Sequence, residues 1–219
     1  MASGVNPRPR DDRLRRARVA RTEQAIITAA TGLFLADGYT ATTLAAVAEA
    51  AQVGARTVYV RFGTKATLLK RVVDVAIVGD AEPVDVLGRD PARTAMTAPT
   101  AAERIDAMAA AARQIMQRTG ALFAVAQQAA AVEPLIAEYW QQGRQQTRHV
   151  HHVIWTQMSR DGLLKPSQGL DRIIDTSSLL AAAETYLLIM RMLGWNLDTY
   201  QAWLRATLTQ IAADRISNP

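Results

Sequence analysis

The stretch AEAAQVGARTVYVRFGTK, Ala48 to Lys65, is where the sequence stops reading as plain helix. Around it the chain is rich in alanine and well suited to unremarkable helices. Here Thr57, Val58, Tyr59 and Val60 stand in one short run between Arg56 and Arg61. Hydroxyls, a phenol and two guanidinium groups on so short an element point to a polar, anionic contact. Val58 and Phe62 fall four apart and turn to one side, with Val53 closing the turn before them. Arg56, Thr57, Tyr59, Val60 and Arg61 are left toward the other side. The run therefore reads as a helix from about Ala55 to Phe62, with Gln52-Val53-Gly54 as a turn.

Working backward, Leu44, Val47, Ala48 and Ala51 form the inward face of a helix from Leu44 to about Ala50. Thr42 or Thr43 can cap it. Before that, Ile26, Ala29, Ala30, Leu33 and Phe34 repeat at helical spacing between a capping Thr22 and a stop at Gly38. Working forward, Thr64 can cap a fourth helix, Lys65 to about Gly79, with Leu68, Leu69, Val72, Val73 and Ala76 buried. Two short helices joined by a tight turn under a preceding helix make a helix-turn-helix, whose second helix enters the DNA major groove. Small residues at Ala48 and Ala51 let the pair cross closely. On that reading Arg56 can donate to guanine O6 and N7, and Thr57 can offer a hydroxyl or a methyl to a base. Thr42, Thr43, Tyr59, Arg61 and Lys65 suit phosphate oxygens, which position the helix without reading sequence.

Charge supports a polyanion at one end only. Through Arg71 the chain holds twelve basic and five acidic residues, net +7; the remainder is net −2. The bland alternative is a solvated basic tail. Residues 1–20 carry much of this charge with little periodicity and read as a disordered basic arm, suited to an adjacent minor groove.

From Arg21 to about Arg71 the chain resembles the TetR family of bacterial transcriptional regulators. The matching runs are AATGLFLADGYTATT, LAAVAEAAQV and TVYVRFGTKATLL. Gly38, Tyr39, Thr43, Tyr59, Phe62 and Lys65 occupy the family's marked positions. The resemblance covers about a quarter of the chain and departs at three places. Gln52 stands where the family usually has Gly, Gly54 where it usually has Ser, and Arg61 where it often has His. A left-handed Gln52 would cost ~1 kcal/mol. Gly54 is a weaker cap than serine, and Arg61 would add a permanent charge.

Residues 79–100 hold Gly79, Pro83, Gly88, Pro91 and Pro99 and read as a connector. Helices resume at about Ala101–Gln117, Ala121–Val132, Pro134–Arg160, Leu170–Leu193 and Leu197–Ile216. No segment alternates with period two. The fold class is all-α with about nine helices: a DNA-binding domain over 21–79 after the arm of 1–20, and a second helical domain over 80–219.

The resemblance implies that this second domain senses a ligand and dimerises. The last two helices have broad apolar faces, Leu179, Leu180, Ala183, Tyr186, Leu187 and Met190 on one, Leu197, Tyr200, Trp203, Leu204, Leu208 and Ile211 on the other. They are expected to pair with a second copy; the alternative is plain core. A two-fold homodimer would bind a near-palindromic operator in double-stranded DNA. Met116, Phe123, Trp155, Met158, Tyr186 and Met190, with Met108 nearby, are soft or aromatic residues spread over four helices. Gln127, with Gln128 beside it, could anchor a polar group. Together they are candidates to line a pocket for a small, largely apolar effector, although such residues at helical spacing also make ordinary cores.

His149, His151 and His152 lack a neighbouring Cys, Asp or Glu to complete a metal site and are expected to be exposed or at an interface. There is no cysteine, no secretory h-region and no uninterrupted membrane-length apolar run, which fits the cytoplasm. No phosphate loop, nucleophile elbow or HExxH motif appears. The expectation is a non-enzymatic regulator needing no cofactor, a ligand-released repressor, with an effector-independent or architectural DNA-binding protein as the alternative.

Overall fold

A computed structural model of the chain describes residues 9–80, 86–165 and 169–216. Ten helices are present among them, and no strand. The fold is all-α. The chain divides into two units, Met1–Val72 and Val73–Pro219.

The first unit opens with α1, Pro9–Ala41. The arm expected to lack structure is thus helical from Pro9 onward, and residues 1–8 lie outside the described part. The physical reason is composition: Leu, Arg and Ala over 14–20 are strong helix formers, so the segment needs no buried face. Thr22 is consequently no cap; its hydroxyl donates to the Arg18 carbonyl in mid-helix, at 3.0 Å. Gly38 does break the helix, at φ 76°, ψ 178°, a conformation open to glycine alone. Ile26, Ala30 and Phe34 are buried beneath it.

α2 spans Leu44–Ala50 and α3 spans Ala55–Phe62. Thr43 caps α2, its hydroxyl accepting from Ala46 N at 3.1 Å. The turn between them is a Schellman stop: Val53 N donates to Ala48 O and Gln52 N to Glu49 O, both at 3.0 Å. Gln52 takes the left-handed position, φ 54°. Gly54 precedes α3 in an extended conformation with no side-chain cap. α4, Lys65–Val78, starts on Thr64, whose hydroxyl accepts from Thr67 N at 3.1 Å, and continues into the second unit.

The second unit differs from the sequence reading in three places. The connector contains a helix, α5, Asp90–Thr97, because Pro91 sits in its first turn, where proline starts helices instead of ending them. The two helices expected over 101–132 are one, α6, Ala101–Ala130, begun by a reciprocal Thr100–Glu103 capping box. Gly120, in the gap between the two expected helices, lies inside it and gives room to a ring: a Cβ there would stand 2.7 Å from Tyr186 Cε1. After α7, Pro134–Arg160, the helix expected over 170–193 is two, α8, Leu170–Leu180, and α9, Ala183–Leu193, bent by 50°. Ser177 and Ser178 back-bond to the carbonyls of Ile174 and Asp175 just before the bend, a habit that distorts helices. α10, Leu197–Ala212, is capped by Asn196.

These helices close on one core containing Ile105, Met108, Met116, Trp155, Met158, Ile174, Tyr186, Tyr200, Leu204 and Leu208. Ion pairs lace its surface, Arg113 to Asp198 and Arg205 to Asp106 between α6 and α10, and Arg148 to Asp175 between α7 and α8. No single helix among the described residues is long and apolar enough to cross a membrane.

Candidate nucleic-acid interface

On α3 the burial pattern separates packing from display. Val58 and Phe62 are buried against the unit. Arg56, Thr57, Tyr59 and Val60 are exposed, Tyr59 by 56 % and Val60 by 77 %. Arg56, Thr57, Val60 and Arg61 line an open concavity of about 560 Å³. Among the described residues no side-chain hydrogen bond or ion pair holds Arg56 back, so its donor fork faces outward. A chain-like apolar residue as exposed as Val60 on a helix carrying arginines is suited to contact with base edges, including a thymine methyl.

The other expected contact residues are less free. Thr42 is buried, and its hydroxyl donates to the Gly38 carbonyl at 2.8 Å. It braces the Gly38 break near the end of α1 and does not face a phosphate, a correction to the sequence reading. Thr43 is exposed, but its oxygen is occupied as the α2 cap. The Lys65 ammonium donates to the carbonyls of Tyr39, at 2.7 Å, and Thr40, at 3.1 Å, and lies 4.3 Å from the Tyr39 ring centroid. Lysine here closes the end of α1, where orphan carbonyls concentrate negative charge. Arg61 was expected to add open charge. Instead its Nε and Nη2 donate to Glu23 on α1, which also receives Arg71 from α4. Those two guanidinium groups hold the Glu23 carboxyl below its ordinary range, overcoming the burial that would raise it.

In the second unit, the structure gathers Met116, Trp155, Met158 and Tyr186 into one buried cluster, with Phe123 and Met190 packed against it. Gln127 is half-buried on α6. Trp155 and Met158 are sealed from solvent and serve as core. The polar centre is one the sequence reading missed. Ser177 Oγ, buried, donates to Ile174 O and accepts from Trp155 Nε1 at 2.9 Å, with His151 Nδ1 also at 2.9 Å. With its one proton used, the serine oxygen accepts from both rings, which puts the His151 proton on Nδ1. Burial pushes His151 down to about 4, so it is neutral. Contrary to expectation His151 is interior, while His149 and His152 are exposed. Only the helical period, which sets 151 with Ile154, Trp155 and Met158, could have signalled it.

α9 leaves Leu188, Met192 and Leu193 exposed, and α8 leaves Leu179. On α10 half of the expected outer face is core: Tyr200, Leu204 and Leu208 are fully buried, while Leu197, Trp203 and Ile211 are half-buried. Half of the broad apolar face read from α10 is therefore consumed within the chain.

An exposed second helix carrying arginine after a tight turn is the arrangement of a helix-turn-helix DNA-binding unit. Residues 26–72 match the profile of the bacterial regulatory proteins of the tetR family. The DNA-binding domain is thus of the TetR family, and the rest of the chain shares the fold of solved regulators of that family. No curated protein matches the chain. Solved structures of the same fold include a TetR-family regulator from Mesorhizobium loti, 17 % identical, with a TM-score of 0.70 over 90 % of this chain and 98 % of that one. The flavonoid-responsive regulator FrrA is 20 % identical, with a TM-score of 0.60 over 91 % of this chain and 99 % of that one. NalD, the secondary repressor of a multidrug efflux pump in Pseudomonas aeruginosa, is 17 % identical, with a TM-score of 0.61 over 91 % and 98 %.

Proposed function

We propose that the chain is a homodimeric repressor that binds a near-palindromic operator and is released by a small, largely apolar effector. The observation that carries this is the outward α3 face, Arg56, Thr57, Tyr59 and Val60, held by the buried Val58 and Phe62 of the same helix. Residues 21–79 would contact DNA, with Arg56 and Thr57 reading bases and Tyr59 and Thr43 meeting phosphates. The helical start of α1, Arg15 to Arg18, would follow the neighbouring backbone or minor groove. All of this takes place where the DNA is, in the cytoplasm.

Residues 80–219 would sense and dimerise. The exposed Leu179, Leu188, Met192 and Leu193 supply an apolar face for a second copy, beside the half-buried Trp203 and Ile211 of α10. A two-fold axis there would set two α3 helices roughly 34 Å apart, one turn of DNA. The effector would enter among Met116, Phe123, Gln127, Trp155, Met158, Tyr186 and Met190, and act by binding better to the state whose α3 helices are wrongly spaced. That FrrA responds to flavonoids and NalD represses a multidrug pump makes hydroxylated aromatics a sensible first class to test.

Selection of bound duplexes from a random pool tests the core of this. A palindrome with half-sites about one turn apart establishes dimeric, sequence-specific binding. Enrichment of nothing, with binding lost in modest salt, leaves only phosphate attraction and defeats the reading. A flavonoid panel then separates the ligand-released repressor from an effector-independent regulator. The first is expected to melt higher and leave the operator when the ligand is added; the second does neither.

A further inference from the structure

Glu23 stands on α1, outside the two helices of the DNA-binding motif. Its Oε2 accepts from Arg61 Nε at 3.0 Å and Nη2 at 2.5 Å. Its Oε1 accepts from Arg71 Nε at 3.0 Å, with Arg71 Nη2 at 2.9 Å. One carboxylate so binds two guanidinium forks, one on α3 and one on α4. Its side chain is 21 % exposed, and that of Arg61 27 %, so salt screens this pair less than it would a surface pair.

Arg61 is also one of the four residues lining the concavity of α3. A guanidinium has five N–H donors. Glu23 takes two of them, and three remain on a group whose direction is now fixed. A cation left free on this face would attract phosphate whatever the base sequence. A cation held by a carboxylate contributes less of that attraction and tolerates fewer registers of the helix on DNA.

We propose that Glu23 is a positioning residue that sets specificity: it ties α3 to α1 and α4 through Arg61 and Arg71, and it removes sequence-blind phosphate attraction from the DNA face. This rests on α3 being the helix that meets DNA.

The test uses the full chain and Glu23→Gln, which keeps size and an acceptor but removes the charge. Affinity is measured by fluorescence anisotropy across a KCl series, on the duplex that the native protein selects from a random pool and on a scrambled duplex of equal length. The scrambled duplex should bind about three- to tenfold tighter to the variant at low salt, with a salt slope steeper by about one, and the specificity ratio should fall about tenfold. Circular dichroism melting checks that the variant folds. Arg61→Gln supplies the second arm. In the native background it should change the salt slope by much less than one; in the Glu23→Gln background it should cancel the increase. Equal weakening on both duplexes with an unchanged slope would make Glu23 a brace only, and the proposal would fall. So would an unchanged ratio. Should Glu23→Gln not fold, a full unit of slope lost in Arg61→Gln alone overturns it, and a near-zero loss supports it. If the native protein prefers no duplex, the DNA reading fails and takes the proposal with it; a preference kept undiminished in Glu23→Gln overturns the proposal alone.

Discussion

Val60 and Trp155 are both large apolar residues in the middle of helices, and the molecule treats them in opposite ways. Val60 is 77 % exposed on α3, and Trp155 is sealed in the core of the second unit. The first unit keeps its chemistry on a short outward face supported by Val58 and Phe62. The second places its soft and aromatic residues inside, around a hydroxyl shared by two rings. A surface that must meet a polyanion has to hold its cations in water. A site for an apolar effector can form only where water is excluded, so its lining and the core are the same kind of residue. Exposure identifies the first kind of site; burial by itself does not identify the second.

The largest effect that would break this contrast is expected at Trp155. Trp155→Ala should cost about 3–5 kcal/mol, from lost burial and a cavity, and lower the thermal midpoint by circular dichroism. An unchanged midpoint would mean that the second unit is not packed as described. Arg56→Ala should do the reverse, leaving the midpoint alone while costing about 1–3 kcal/mol of operator binding and relaxing preference at one position per half-site. Uniform weakening across sequences would make Arg56 a phosphate contact and not a base reader.

Lys65→Ala sharpens the comparison from within the first unit. Because Lys65 closes the end of α1, the loss should appear as about 1–2 kcal/mol of stability, more than as a change in salt slope. A slope reduced by about one with full stability would restore it as a phosphate contact. His151 gives the second unit a pH signature. Its ordinary value of 6.5 falls to about 4 when folded, so between those values the unfolded chain binds the extra proton. Stability is therefore full above pH 6.5 and declines as pH falls toward 4. His151→Gln should flatten that part of a pH–stability curve, measured by urea titration. The smallest effect is at the turn: Gln52→Gly should relieve a left-handed glutamine and gain less than about 1 kcal/mol, since glycine also loosens the unfolded chain.

How far the sequence carried depended on how far away each residue's partner stood. α2 and α3 were legible to their ends because a Thr cap, a four-residue apolar repeat and a turn all lie within a few positions. The exposure of Arg56, Thr57 and Tyr59 followed from the helical period once Val58 and Phe62 were placed inward. Arg61 was misjudged because its partner Glu23 is 38 residues away. Lys65 was misjudged because its carbonyl partners on Tyr39 and Thr40 are 26 and 25 away. Pro91 and Gly120 carry the same lesson: one starts a helix and the other lets a tyrosine approach, where local rules read a connector and a gap between helices.

The sequence by itself determined an all-α chain with a helix-turn-helix, its cationic second helix and the direction in which that helix faces. These follow from the helical period and from local capping, which need no distant partner. Only the tertiary structure decided which of those cations stay open, which residues of α10 are core and which histidine is buried. Each of those outcomes is a competition between water and a group brought from elsewhere in the chain, and packing alone sets which one wins.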